Sequence, residues 1–150
     1  MKGKKACLAG AVIALAFAVT GCSAIPGMGG SGTNEAHVGD TVSTSWFDYT
    51  VTSAESADTY EGYTASDGNK LVVVNLTMTN TFNESVPMFD TDFQLGWGEY
   101  NDDEMAFPVP PYCDAQLPVE YYLSIDETRV GVLVYEVPSD VRDFTFAFLE

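Results

Sequence analysis

Four carboxylates and four large rings crowd into residues 96–113, which read GWGEYNDDEMAFPVPPYC. Two kinds of chemistry suit that composition. Carboxylates together with Asn101 are hard oxygen ligands of the type Ca²⁺ takes, with Asp102, Asp103 and Glu104 as the candidate metal ligands. Trp97, Tyr100 and Tyr112 are rings that stack on a sugar or anchor a protein partner, and are the candidate binding residues. A third reading is an acidic hairpin tip in water with its aromatics packed on the edge of the fold. The spacing is not that of a helix–loop–helix calcium site. Asp90-x-Asp92 opens like such a loop, but Gln94 and Leu95 break the pattern and no glycine stands where the sharp turn needs one. Residues 58–63, with Asp58, Tyr60, Glu61 and Tyr63, form a second acidic aromatic stretch open to the same readings.

Nucleophile and base chemistry is poorly supplied. His37 is the only histidine, placed where the linker meets the folded part. A general base must be held rigidly against its substrate, and a chain junction does that badly. No Gly-x-Ser-x-Gly elbow, His-Glu-x-x-His helix or phosphate-binding glycine loop occurs. The expectation is therefore no enzyme and no cofactor. A hydrolase with an unrecognised site is the least favoured alternative. A carrier of Ca²⁺ or of a small molecule stands between.

The first residues form a processing signal. Lys2, Lys4 and Lys5 precede an apolar run from Leu8 to Val19, and small residues follow. That run is shorter than the ~20 residues of a spanning helix and has the form of a secretory signal. It closes on Val19-Thr20-Gly21-Cys22. This tetrad resembles the lipobox of bacterial lipoproteins. The resemblance implies cleavage after residue 21, a diacylglyceryl group on the Cys22 thiol, and a place on the extracellular face of a bacterial, Gram-positive cell membrane. Two acyl chains are the usual threshold for stable anchoring, at ~0.8 kcal/mol per buried methylene. Residues 22–36, with glycine at 27, 29, 30 and 32, form a flexible linker.

Once residues 1–21 are removed, Lys70, Arg129 and Arg142 face 22 acids. Such a surface repels nucleic acid and anionic lipid and attracts cations or a basic partner. Three bases are also too few to clamp a phosphorylated substrate. Of three cysteines, Cys7 lies in the signal and Cys22 takes the lipid. Cys113 is left without an internal partner, either buried or free to pair between chains, and the domain must hold by its core.

Residues 37–150 read as strands throughout. Phe47, Tyr49 and Val51 alternate with polar residues, preceded by a Thr/Val/Ser-rich run from Thr41 to Trp46. Leu71–Thr79 and Val130–Val137 are long, β-branched runs that suit central strands. Further strands start at Phe93 and run from Tyr121 to Ile125, and Phe144, Phe146 and Phe148 close the chain. Turn residues separate them, among them Asp67-Gly68-Asn69, Asn83-Glu84-Ser85 and Pro138-Ser139-Asp140. Seven or eight short strands over this length predict an all-β, immunoglobulin-like antiparallel β-sandwich, with a closed barrel as the alternative.

Several pieces of the domain fall in a familiar order. They are Val38-Gly39-Asp40, the run Leu71–Asn80, Phe93-Gln94-Leu95, Glu127-Thr128, and Gly131-Val-Leu-Val-Tyr-Glu-Val-Pro138. Together these resemble the telokin-like domain of unknown function of Gram-positive lipoproteins, in the immunoglobulin-like superfamily of secreted immunoprotective antigens. Ile125-Asp126 stands where that family has Pro-Gly. The resemblance implies the fold and no catalytic residues. The expected function is a membrane-anchored extracellular lipoprotein acting as a non-catalytic binding or interaction module. Its partners would be the membrane, through the lipid on Cys22, and a surface protein or cell-wall glycan.

Overall fold

The computed structural model describes residues 15–17, 36–99 and 101–149. The lipidation site Cys22, the linker up to residue 35 and the candidate contact Tyr100 lie outside the described residues. Of the apolar run before Cys22, strand β1 (Leu15–Phe17) is described and lies parallel to the last strand. Among the described residues no helix is long and apolar enough to cross a membrane.

The chain then folds as strands. β2 (Thr41–Ser43), β3 (Phe47–Ala57) and the small hairpin β4 (Thr59–Tyr60)–β5 (Tyr63–Thr64) lead into β6 (Asn69–Asn80). β7 (Val86–Phe89), β8 (Phe93–Gly96) and β9 (Met105–Ala106) follow. β10 (Glu120–Leu123), β11 (Thr128–Pro138) and β12 (Phe144–Phe148) complete the fold. One layer is the antiparallel sheet β11-β6-β3-β2. The other is β12-β8-β9, with β1 on its edge, and a separate ribbon pairs β10 with β7. The architecture is a β-sandwich.

β6 shows how sequence sets this arrangement. Val72, Val74, Leu76 and Met78 lie on its inner face and are wholly buried. On the outer face Leu71 and Val73 are buried, whereas Asn75, Thr77 and Thr79 are half-buried. The apolar run therefore marks where both faces are covered, and the alternating half marks where one is. The outer cover is the β4–β5 hairpin and residue Val109, which pack with Val132 and Val134 on Leu71 and Val73.

Between the layers sits an aromatic core. Phe47, Tyr49, Phe93, Phe146 and Phe148 meet edge-on or tilted, except that Phe93 and Phe146 stack, and the Phe47 and Phe148 centroids are 4.8 Å apart. Tyr135 reaches across the layers and donates to the Phe93 carbonyl at 2.9 Å. The Tyr49 hydroxyl is buried with no hydrogen-bond partner, and burial pushes its pKa up to about 12.

Three details differ from the sequence expectations. β6 is central, but β11 is the last strand of its ladder. Its outer edge is taken by an irregular segment, through Val109 N–H to the Val134 carbonyl and Leu117 N–H to that of Val132. The first strand stops at Ser43, because the Thr44 hydroxyl and amide both bond the Phe47 carbonyl and close a turn that carries Trp46. The strand from Tyr121 ends at Leu123, and Ile125-Asp126 form a turn with Asp126 at φ 58°. Aspartate tolerates that left-handed conformation better than most residues, so the turn survives without glycine.

Candidate functional site

Sequence reasoning pointed to the hairpin between β8 and β9, and the structure spends most of that hairpin's chemistry on itself. Glu104 Oε2 accepts from the Glu99 amide at 2.9 Å and from Asn101 Nδ2 at 2.8 Å, while Asn101 Oδ1 takes the Asp103 amide. Gly98 has φ +58°, and a Cβ there would meet the Glu104 carboxylate at 2.5 Å. Glycine is required for the carboxylate to fold inward. Among the described residues no group of three or more His, Cys, Asp or Glu side chains is placed to hold a metal ion. Of the candidate ligands, Glu104 caps the turn, while Asp102 and Asp103 are exposed at the tip.

Two rings of the same segment are also engaged, whereas Phe107 is 50% exposed and Tyr100 lies outside the described residues. Trp97 packs against the core, edge-on to Phe144 at 6.3 Å. Tyr112 stacks on Tyr63 at 5.0 Å and donates to the Tyr60 carbonyl at 2.9 Å, so the two acidic aromatic stretches cover each other. Cys113 is half-buried, its thiol 3.6 Å from Gln116 Oε1. Glu136, on the outer face of β11, ties this region down. Its carboxylate accepts from Tyr63 Oη at 2.9 Å, the Ser66 amide at 2.8 Å and Asn69 Nδ2 at 3.0 Å. Those donors, Asn69 and Ser66 foremost, hold its pKa down at about 2. His37 is exposed and shares a turn with Asp40, whose carboxylate accepts the His37 amide.

The opposite end of the sandwich is built differently. The two ends are set by β6: Phe144, beside Trp97, lies under Lys70 near its start, whereas Phe47 pairs with Asn80 at its finish. Asn80 is 1% exposed. Its Nδ2 donates to the carbonyls of Glu84, Leu123 and Ser124 at 2.9–3.0 Å, and its Oδ1 accepts the Phe82 amide at 2.7 Å. One buried amide thus fixes both the β6–β7 connection and the β10–β11 turn. The Thr81 amide, bonded to the Trp46 carbonyl, adds the Thr44 turn to the same assembly.

Around this hub lies a cleft of about 290 Å³ lined by Trp46, Phe82, Glu84, Ser85, Val86 and Pro87. That is the lower end of ligand-site volumes, enough for one side chain or one sugar ring. Pro87 leads from the cleft onto the outer face of the β7–β10 ribbon, where it lies opposite Tyr122 and Phe89 lies opposite Glu120. Tyr122 is 60% exposed, Val119 55%, Phe89 41% and Phe82 38%. Here large apolar groups remain in water. Sequence reading missed this end because Phe82, Phe89 and Tyr122 are spread over forty positions, and only strand pairing gathers them. The available signal was the second tyrosine of Tyr121-Tyr122: alternation sends one ring inward and the other outward.

Residues 36–150 match the model of a family described as a domain of unknown function, DUF4352, and the chain belongs to that family. The structure is similar to ycdA, a candidate lipoprotein of Bacillus subtilis, at 18% identity and a TM-score of 0.52, over 65% of this chain and 30% of that one. It is also similar to the yjhA protein of Bacillus subtilis, at 14% identity and a TM-score of 0.52, over 75% of this chain and 98% of that one. The chain thus spans less than a third of the first protein's length, and both likenesses are of fold. Among curated proteins nothing matches it.

Proposed function

We propose that this protein is a non-catalytic binding module, of the telokin-like, immunoglobulin-like kind, held on the outer face of the cell membrane by lipid on Cys22. The Asn80 end of the sandwich is its contact surface. Support for the anchor comes from the signal and Cys22, and from a fold shared with a candidate lipoprotein. The observation that carries the binding role is the contrast in exposure. Trp97 and Tyr112 are packed, while Phe82, Phe89 and Tyr122 stand in water beside a cleft on a rigid frame. Exposed apolar groups gathered in one place mark interaction sites. Carriage of a small molecule is less well supported, since polar groups on the cleft's lining side chains are few, from Glu84, Ser85 and the Trp46 indole.

The test uses the full chain in its own cells. Carbodiimide crosslinking on intact cells, which joins the chain's abundant carboxylates to a partner's amines, should capture a surface partner. Phe82→Ala with Tyr122→Ala should abolish that capture while the melting temperature stays within about 2 °C, as exposed substitutions do. Capture that survives the double substitution overturns this surface. Cys22→Ala checks the anchor by moving the protein to the medium or stalling it as the uncleaved precursor, and mass spectrometry that finds an unmodified mature N-terminus other than Cys22 would refute it.

A further inference from the structure

Resting on the Asn80-end surface just proposed, we propose that its cleft receives an arginine or lysine side chain of a protein partner. The rings of Trp46 and Phe82 would hold the cation and the Glu84 carboxylate would pair it. The chain displays the same chemistry internally. The Arg129 guanidinium lies 4.8 Å from the Tyr121 ring centroid and is paired with Glu127 at 2.7 Å. Ring plus carboxylate is a favourable seat for a guanidinium, because the ring quadrupole attracts the cation and the carboxylate bonds it.

The cleft repeats this set of groups without a base of its own. Trp46, Phe82 and Glu84 line it, and the Arg129–Glu127 contact is the one salt bridge among the described residues. The other bases of the domain are at the far end. Lys70 donates to the Val141 carbonyl and sits 5.6 Å from the Phe144 ring, and Arg142 is two residues from Phe144. No base of the folded domain is therefore on hand to fill the seat.

Three observations select the occupant. The cleft volume admits one side chain, and a cationic one answers the carboxylate. The chain carries 22 acids against 6 bases, so its field steers basic partners toward it and acidic ones away. The cleft also continues through Pro87 onto the apolar face formed by Tyr122 and Phe89, with Glu120 between them. A free amine would leave that face wet, whereas a polypeptide carrying apolar residues beside its basic one would cover it. Docking is by side chains and not by strand addition, because Pro87 removes an amide donor from the short strand β7.

The experiment is amide and indole ¹H–¹⁵N NMR on the lipidated protein in detergent micelles, titrated with N-acetyl-arginine amide. The probes for comparison are N-acetyl-citrulline amide, choline and chitotriose. Arginine amide should shift the Trp46 indole and the Phe82 and Glu84 amides, while the isosteric neutral citrulline leaves them in place. Glu84→Gln should weaken arginine binding about fivefold, as should 0.5 M salt, the size of one exposed charge pair. Equal response to citrulline, or no response to arginine, overturns the inference. So does choline binding as tightly as arginine, which would make the guest a small quaternary amine. Shifts from chitotriose alone would assign the cleft to a glycan. In each of these cases the surface itself still stands if Phe82→Ala with Tyr122→Ala abolishes capture on cells, and it falls separately if capture persists.

Discussion

The two ends of the sandwich are alike in composition and opposite in construction. The β8–β9 end has Trp97, Tyr112, Glu104 and Glu136, and every one of them is used internally. The Asn80 end has Trp46, Phe82, Tyr122, Glu84 and Glu120, and there the buried Asn80 amide and the Glu127 carboxylate hold the turns while the Phe82 and Tyr122 rings face outward and Trp46, packed against the core, lines the cleft. Acid and aromatic residues are common to binding surfaces and to well-packed loops. What separates the two is whether backbone donors converge on the carboxylates. Glu104 and Glu136 have such donors, as does Glu127 in the β10–β11 turn, and they anchor loops. A carboxylate without them is available to something else.

The sharpest way to break this comparison is to remove Asn80. Asn80→Ala strips four hydrogen bonds from a buried position and leaves the Phe82 amide and three carbonyls to find water. Each buried polar group left unmatched costs ~1–3 kcal/mol, and the loop's partial exposure relieves some of them. We expect a loss of about 3 kcal/mol, on the order of 10 °C in melting temperature. Arginine binding at the cleft should vanish as well. A loss within 2 °C by calorimetry would show that the loop is held by other contacts.

A second pair of substitutions compares the rings directly. Trp97→Ala removes a half-buried ring from the core margin and should cost about 2 kcal/mol, less than the 3–5 of a fully buried aromatic. Phe82→Ala should cost less than about 0.5 kcal/mol, since its ring already stands in water. Urea titration of both measures the difference. If Phe82→Ala proved the more damaging, the Asn80 end would be packing and the contact surface would have to lie elsewhere.

The sheets were legible in sequence because burial imposes a period that the chain must obey. Val72, Val74, Leu76 and Met78 announce an inner face, and Phe144, Phe146 and Phe148 another. Val86–Phe89 escaped notice because Pro87 interrupts it and four residues carry too little period. The outer cover of β6 escaped too, since Tyr63 and Tyr112, far apart in sequence, meet only in the folded chain. The Asn80 end was illegible in sequence for a related reason. Residues 96–113 are a contiguous cluster, and contiguity is visible to a reader of sequence. The Asn80 end is contiguous in space alone.

Glu136 offers the finest test, because it separates the two ends by pH. Its folded pKa of about 2 lies below the ordinary carboxylate value of 4.5. A depressed folded pKa means that the unfolded chain takes up the proton first. The carboxylate's contribution to stability is therefore fully present above about pH 4.5 and is lost as pH falls toward 2. Asp90 and Asp92 act in the opposite sense, since burial raises both, and protonation in the same range relieves that cost. The acid limb of the wild-type curve mixes these effects, so the difference from Glu136→Gln is the quantity to measure. Glutamine keeps the shape and one acceptor but no charge. The variant should melt below wild type at pH 7 and approach it as pH falls to 2.5. Hydrogen exchange at pH 6 should rise in residues 59–66, which Glu136 ties to β11, and stay unchanged in residues 81–86. A constant gap in melting temperature from pH 7 to 2.5 would mean that the Tyr63, Ser66 and Asn69 bonds do not favour the charged form. Faster exchange at residues 81–86 would mean that the two ends are not independent, and the comparison between them would fail.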